Sequence, residues 1–231
     1  MYFQFLVEDR STEILVDHVL KKIRNESAQG NLYYGIKSFK GIGTVSNVGT
    51  VRERKTGKLL NDLPLYLRAF SKSLAPQADT AIVIVLDNDQ RDPEEFQKQL
   101  EEIAASSMML IDHVFCIAIK ETEAWLLGDA NAIQAAYPAA RMSALSRYKQ
   151  DAIEPTWEVL ADVVYPGGCQ KLKKKAGGAY TEIGRAKSEW ADSIGQRLNI
   201  RKNNSPSFNR FVDALLCRAE GCSSRETGLS P

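Results

Sequence analysis

Short continuous apolar runs alternate along this chain with longer stretches that have helical spacing. The clearest run is Ala81–Leu86, in which six apolar residues, four of them β-branched, end on Asp87. A short, unbroken apolar run is typical of a strand buried on both faces, as in a parallel sheet. Similar runs at Tyr2–Val7, Leu32–Phe39 and His113–Ile119 predict three more strands.

Helical patterns separate these runs. Asp92 precedes Pro93 and two glutamates, which is the pattern of an N-cap, a proline at the first helical position and a first acidic turn. It predicts a helix over Pro93–Ser106. Caps and apolar periodicity also predict a helix after a Ser11 or Thr12 cap, one from about Asp62-Leu63-Pro64, and one over Thr122–Leu127 as far as Gly128. Further helices are predicted over Thr156–Val164, Ala179–Leu198 and Pro206–Ala219, the last with Ser205 as its N-cap.

The alternation of strands and helices predicts an α/β fold, with a mostly parallel sheet flanked by helices and a C-terminal helical extension. We expect a sheet domain over residues 1–130, a helical extension packed on it over 131–219, and a disordered tail over 220–231. Lys171–Lys175, followed by Gly177-Gly178, are predicted to form a basic, flexible joint within the extension.

Composition limits the cellular setting. The 231 residues have a net charge of only +1, so no global basicity indicates nucleic acid. The four cysteines show no CxxC spacing, which favours reduced thiols over a disulfide framework or a zinc site. We see no signal peptide, because the chain begins with a strand pattern. No apolar run approaches the ~20 residues of a membrane span. We therefore expect a cytoplasmic protein that does not bind a membrane.

Acidic residues follow three of the predicted strands: Glu8, then Asp87 with Asp89, then Glu121 and Glu123. Parallel strands bring their carboxyl ends to one edge of the sheet, where α/β proteins place their chemistry. Like charges in one crevice require a counter-ion or a proton. Carboxylate oxygens favour Mg²⁺ or Mn²⁺, ions that assist phosphoryl chemistry. For Asp87 and Asp89 alone, a strand-end turn and cap is an equally good interpretation.

This arrangement resembles the Toprim (topoisomerase–primase) domain, which has a glutamate after the first strand, Asp-x-Asp after a central strand and a later acidic position. Over about residues 3–216 the chain is similar to an uncharacterised bacterial family with a Toprim-like fold, related to the nuclease part of overcoming-lysogenization-defect proteins. Members are often encoded beside an AAA or ABC-type ATPase, as in phage-defence pairs. The matching segments are Val7-Glu8-Asp9 with Ser11 and Glu13, Leu86–Asp89, Ile119–Asp129 and Ser205–Phe208.

The resemblance implies that Glu8, Asp87 and Asp89 bind Mg²⁺ or Mn²⁺, with Glu123 or Glu121 completing a second metal position. Glu123 is preferred, since Glu121 also suits a cap on the Thr122–Leu127 helix.

Three further residues have two interpretations each. Glu13 resembles the second acid of the first nuclease motif, but it lies five residues from Glu8, and a first-turn acid favoured by the helix dipole is an equal alternative. Lys120 is a candidate cation for the transition state. Trp125 is expected in the core rather than as a platform for stacking bases.

Two segments are strongly basic, which suits a phosphate backbone, although solvated surfaces explain such runs as well. Phosphate contacts do not distinguish DNA from RNA. The first segment has one acid, Glu53, against Lys37, Lys40, Arg52, Arg54, Lys55 and Lys58. The second has three acids, Glu182, Glu189 and Asp192, against Lys171, Lys173, Lys174, Lys175, Arg185, Lys187, Arg197, Arg201 and Lys202.

The leading hypothesis is a Mg²⁺- or Mn²⁺-dependent nuclease that acts on DNA or RNA as the effector of an ATPase-linked phage-defence system. The alternative is a non-catalytic Toprim-like subunit that binds an ATPase partner or nucleic acid. A primase or topoisomerase fits less well, because the chain is short for their accessory domains. A receiver-like phosphoacceptor domain would need a lysine on the last strand, which the sequence does not clearly show.

Overall fold

The computed structural model describes residues 1–26, 31–44, 57–152 and 155–220. Within these residues the strands are β1 (Tyr2–Val7), β2 (Tyr33–Ser38), β3 (Thr80–Asp87) and β4 (Asp112–Ala118). They form one parallel sheet in the order β2-β1-β3-β4. The predicted α/β class, parallel sheet and C-terminal helices are confirmed. All eight residues of β3 are buried, as expected for the central apolar run.

Helices cover both faces of the sheet and form the C-terminal part. They are α1 (Arg10–Glu26), α2 (Leu59–Leu74), α3 (Pro93–Ser106), α4 (Glu123–Leu127), α5 (Ala130–Ala136), α6 (Met142–Leu145), α7 (Thr156–Val164), α8 (Gly168–Ala176), α9 (Tyr180–Gly195) and α10 (Pro206–Ala219). The predicted caps of α3 and α10 are confirmed: Asp92 accepts hydrogen bonds from the amides of Glu94 and Glu95, and Ser205 accepts one from that of Phe208.

The strand order places the topological switch point between β1 and β3. The chain adds β2 on one side of β1 and then returns to add β3 on the other side. Val7 at the end of β1 lies opposite Val85, two residues before β3 ends at Asp87, so both strands end at the same edge of the sheet. A crevice opens at such a point beyond the carboxyl ends of the strands, and it is the usual ligand site of an open α/β sheet.

Alternating side chains of β1 and β3 enter two separate cores, because successive residues of a strand point to opposite faces. Phe5 and Val83 belong to the larger core, which also contains apolar residues of α1, α4, α7, α9 and α10. Leu6 and Ile84 belong to the smaller core beneath α2 and α3. Helices from the predicted C-terminal extension therefore pack in the same core as the first strand.

Two predicted helix starts are wrong. Asp9 caps α1 in place of Ser11 or Thr12, since its side chain accepts a hydrogen bond of 2.9 Å from the amide of Thr12. Helix α2 begins at Leu59, before the predicted Asp62-Leu63-Pro64 start. The earlier start buries Leu59 and Leu60 in the smaller core, and this burial outweighs the capping signal of an acid before a proline.

The predicted flexible joint is also wrong, because Lys171–Lys175 lie within helix α8. Cys169, Leu172 and Ala176 are spaced three and four residues apart, so they form one buried face and leave the lysines outside. Gly177 ends the helix with a left-handed φ of 56°, which favours glycine at this position.

Some predictions lie outside the described residues. These are the tail beyond Glu220 and three bases of the first basic segment, Arg52, Arg54 and Lys55. Within the described part of the chain, no helix has the length and apolar character needed to cross a membrane.

Candidate functional site

Glu8 and Asp87 lie side by side at the switch point. The amide of Asp87 donates a long hydrogen bond of 3.4 Å to Oε2 of Glu8. The carboxylate of Asp87 is only 6% exposed, and its Oδ1 accepts a 2.9 Å hydrogen bond from the amide of Thr122, just before α4. The structure thus brings together acids that lie 79 residues apart in the sequence.

A third acid, Glu123, enters the same cluster from the first turn of α4, and a lysine from α9 faces it. Glu123 is 2% exposed, and the ammonium of Lys187 lies 3.1 Å from its Oε2. This contact is an ion pair without hydrogen-bond geometry: within the described residues, Oε2 of Glu123 has no hydrogen-bond partner. We call Glu8, Asp87, Glu121, Glu123 and Lys187 the acidic cluster.

Glu121 connects the cluster to the C-terminal helices. Its Oε1 lies 3.5 Å from the ammonium of Lys187. Its Oε2 accepts hydrogen bonds from the Thr156 hydroxyl at 2.7 Å and the Trp157 amide at 3.2 Å, at the first turn of α7. The interpretation of Glu121 as a cap of α4 is wrong: it caps α7, and α4 begins after Thr122, whose side chain makes no capping hydrogen bond.

Asp89 and Lys120 lie at the rim of this cluster. Asp89 adopts a left-handed turn with a φ of 52° and pairs with Arg91 at 3.0 Å. The i, i+2 spacing of Asp87 and Asp89 predicts that both side chains project from the same side of an extended strand. This prediction is wrong, because the turn directs Asp87 inward and Asp89 toward Arg91. Lys120 has a left-handed φ of 69°, and its backbone is held by the side chain of Asn88 and the amide of Asp89. Only Asn88 of these residues is fully buried.

Glu13 has different partners from the acidic cluster. Its carboxylate accepts a 2.6 Å hydrogen bond from the hydroxyl of Ser38 and pairs with Arg10 at 2.7 Å. Glu13 thus lies toward the β2 side of the sheet edge, on a groove of about 490 Å³ that also contains Asp17 and Tyr34. These contacts fit its interpretation as a first-turn acid of α1.

Burial and mutual repulsion disfavour the charged forms of the central acids. Desolvation, followed by the nearby Asp9 and Asp89, raises the pKa of Glu8 from 4.5 to about 7. Desolvation and Glu8 hold the pKa of Asp87 well above its usual range. Desolvation also raises the pKa of Glu123 to about 7, although Lys187 opposes the shift. One lysine does not neutralise four acids, so the acidic cluster can still bind a cation or protons.

These shifts predict that the metal-free protein loses stability as the pH rises. A carboxyl whose pKa is higher in the folded state binds more protons when folded, so the free energy of unfolding falls between the unfolded and folded pKa values. For Glu8 and Glu123 that window is about pH 4.5–7. We expect the melting temperature in EDTA to fall from pH 5 to pH 7, with a shallower fall in Glu8→Gln. Equal slopes in the two proteins would contradict these shifts.

The donor set of the cluster fits a divalent cation. Carboxylate oxygens are the preferred ligands of Mg²⁺ and Mn²⁺. Glu8 and Asp87 lie next to each other, and in the described part of the chain neither carboxylate forms an ion pair. The ligand shell is not preassembled, however: among the described residues, no three His, Cys, Asp or Glu side chains are arranged to hold an ion.

Lys187 is the member of the acidic cluster that the sequence pattern does not single out. It was counted among the bases of the second basic segment. In α9, however, it lies three residues before Trp190 and four after Ile183, on the face that packs against the larger core. A single lysine on the apolar face of an amphipathic helix was the available signal, since an unpaired ammonium is rarely buried.

Two of the segments that carry the resemblance, Ile119–Asp129 and Ser205–Phe208, pack against each other. Trp125 is fully buried, as expected for a core residue, and its indole N–H donates a 3.0 Å hydrogen bond to the hydroxyl of Ser207. The side-chain amide of Asn203 donates to the carbonyl of Trp125 at 2.9 Å. Gly128 is required by this contact, because a Cβ there would come within 1.9 Å of the Asn203 side chain. These contacts hold α4, and with it Glu123, against α10.

The second basic segment is largely engaged in ion pairs. Carboxylates lie within 4 Å of five of its nine bases: Lys173, Lys175, Arg185, Lys187 and Arg201. In the first segment, the ammonium of Lys37 lies 4.9 Å from the centre of the Tyr66 ring. These contacts leave fewer bases available to a phosphate backbone than the sequence alone indicates.

Comparison with known proteins gives a family but no activity. The model of a family described as a domain of unknown function, DUF4276, matches residues 7–216. No curated protein matches the chain, and no solved structure matches it either.

Proposed function

We propose that this chain, which belongs to the DUF4276 family, is a Mg²⁺- or Mn²⁺-dependent nuclease that cleaves DNA or RNA. The observation that carries the proposal is the convergence of Glu8, Asp87 and Glu123, from three separate segments, on the switch point of the sheet. Buried acids at that place destabilise the fold unless a cation or protons neutralise them, so a function that needs their charge accounts for them.

Each residue of the site has a separate role in this proposal. Glu8 and Asp87 would hold the metal ion, with Asp89 at the rim and Glu123 behind them. A bound ion of this kind polarises the scissile phosphate and lowers the pKa of a water molecule. Lys187 keeps positive charge beside the acids. Lys120, at the rim, is the candidate to contact the charged phosphate.

Cleavage assays with purified protein test this proposal. We expect nicking of plasmid DNA or cleavage of tRNA with Mg²⁺ or Mn²⁺ and none in EDTA. Glu8→Gln should lower the rate at least about 10-fold, since altered metal sites commonly lose 10–100-fold in affinity or activity. Glu13→Gln is the matched control, because Glu13 pairs with Arg10 instead of the cluster, and its rate should stay within about twofold of wild type. Equal loss in both variants, or loss in neither, would remove Glu8 from the site.

A non-catalytic subunit is the alternative, and Lys187 is the observation that favours it. A buried lysine already offsets part of the negative charge, so the cluster has a structural cation of its own. Calorimetry with Mn²⁺ separates the two functions: a nuclease of the proposed type binds the ion, and a non-catalytic scaffold does not.

We further propose that the protein acts in the cytoplasm as the effector of an AAA or ABC-type ATPase. Support comes from the similarity of its motifs to those of a family that is often encoded beside such ATPases. Co-purification with the neighbouring ATPase, and ATP-dependent stimulation of cleavage, would support this pairing. Co-purification that survives Asp87→Ala, in a protein that does not bind Mn²⁺, would favour the non-catalytic subunit.

A further inference from the structure

We propose that the ammonium of Lys187 takes the place of a second metal ion, so that the protein binds one divalent cation at Glu8 and Asp87. This inference rests on the proposed metal-dependent function and narrows it. The family resemblance implies a second metal position completed by Glu123 or Glu121. In the structure both of these acids already share a cation that the chain itself supplies.

The position of Lys187 is fixed by burial and by its two partners. Its side chain is only 14% exposed, and its ammonium lies 3.5 Å from Glu121 and 3.1 Å from Glu123. Desolvating an ammonium is unfavourable unless carboxylates compensate for it. Lys187 therefore needs both acids, and moving them onto a metal ion would leave its own charge buried and unpaired.

A second set of contacts holds Glu121 in place. Its other carboxylate oxygen caps α7 through the Thr156 hydroxyl and the Trp157 amide. Turning this carboxylate toward a metal ion would break the cap and so destabilise the start of α7. One oxygen of Glu121 is committed to the helix and the other faces Lys187.

Glu8 and Asp87 are placed differently. They lie next to each other at the switch point, and in the described part of the chain neither carboxylate is within 4 Å of a lysine, arginine or histidine nitrogen. Only one oxygen of Asp87 is used, by the amide of Thr122. The cluster thus has two halves: Lys187 forms ion pairs with the acids of one half, whereas it acts on Glu8 and Asp87 only from beyond ion-pair distance.

The number of bound ions tests the inference directly. Mn²⁺ is titrated into the full chain by calorimetry, and free Mn²⁺ is counted by electron paramagnetic resonance. We expect one ion per chain in the wild type and two in Lys187→Met, because the uncharged side chain releases Glu123 and Glu121 to a second ion. Lys173→Met is the matched control, since it breaks a lysine–glutamate pair between α8 and α7, and it should still bind one ion.

Each outcome has a defined meaning. Two ions in the wild type, or an unchanged count in folded Lys187→Met, would overturn the role of Lys187 and leave the nuclease proposal standing. No ion in the wild type would overturn the metal-dependent function itself. If Lys187→Met does not fold, Glu123→Gln decides the question. One bound ion in that variant supports the inference, and its loss shows that Glu123 is a ligand.

Discussion

Asp87→Asn should abolish nucleic-acid cleavage and, at the same time, make the metal-free protein more stable at pH 8. The amide oxygen of asparagine can still accept the hydrogen bond from Thr122, so local structure is retained while the charge is lost. We expect the cleavage rate to fall at least about 100-fold, because Asp87 would hold the ion that stabilises the developing negative charge, and losing such stabilisation costs about 10²–10³ in rate.

Asp87→Asn should raise stability although it lowers activity, because the folded protein disfavours the charged form of Asp87. Desolvation and the neighbouring Glu8 hold its pKa well above the usual range. At pH 8 the neutral amide avoids that repulsion, whereas the unfolded chain has no such preference. We therefore expect a melting temperature in EDTA above that of wild type at pH 8, and a smaller difference at pH 5.

Two measurements decide this prediction, the cleavage rate with Mn²⁺ and thermal unfolding followed by circular dichroism. Asp92→Asn is a useful control, since Asp92 only caps α3 at an exposed position, and its cleavage rate should match wild type. A lower melting temperature in Asp87→Asn at pH 8 would show that the charge of Asp87 holds the fold together. Full activity in this variant would remove it from the site.

Trp125→Ala should destabilise the protein by about 3–5 kcal/mol, the usual cost of deleting a large buried aromatic side chain. Trp125 is fully buried, and its ring stacks on Phe211 with centroids 4.8 Å apart. The substitution also deprives the buried hydroxyl of Ser207 of its hydrogen-bond donor. It removes contacts that hold α4 against α10, so Glu123 should lose its fixed position as well.

Urea denaturation measures this loss. Trp125→Phe keeps an aromatic ring in the stack and should retain more than half of the lost stability. Trp157→Ala is the control at a partly exposed tryptophan, whose ring lies near Lys173. It should lower the free energy of unfolding by less than Trp125→Ala does. If Trp125 were a base-stacking platform, Trp125→Ala would weaken nucleic-acid binding without changing the midpoint of unfolding.

The larger features of this fold follow from local sequence patterns. The runs around Phe5 and Val83 are apolar on both faces, and only a strand between two helical layers satisfies them. The caps at Asp92 and Ser205 were predictable because capping depends on a few neighbouring residues. The three strand-end acids were predictable too, since parallel strands must end on one edge.

The tertiary structure decided everything that depends on long-range contacts. Asp87 and Asp89 are equivalent in a sequence motif, but a left-handed turn separates them into a buried and a rim position. Glu121 has the pattern of a local cap, yet it caps a helix that begins 35 residues later. No local rule specifies such a partner.

Lys187 is the clearest example of a residue whose role only the tertiary structure decided. The sequence by itself determined an acidic edge on a parallel sheet, because strand direction and residue order suffice for that. It did not determine what neutralises that edge, because α9 reaches the cluster only by packing across α1 and the larger core. Whether a lysine is a solvated surface charge or an internal cation depends on which buried carboxylates face it, and only the folded chain brings Lys187 to Glu121 and Glu123.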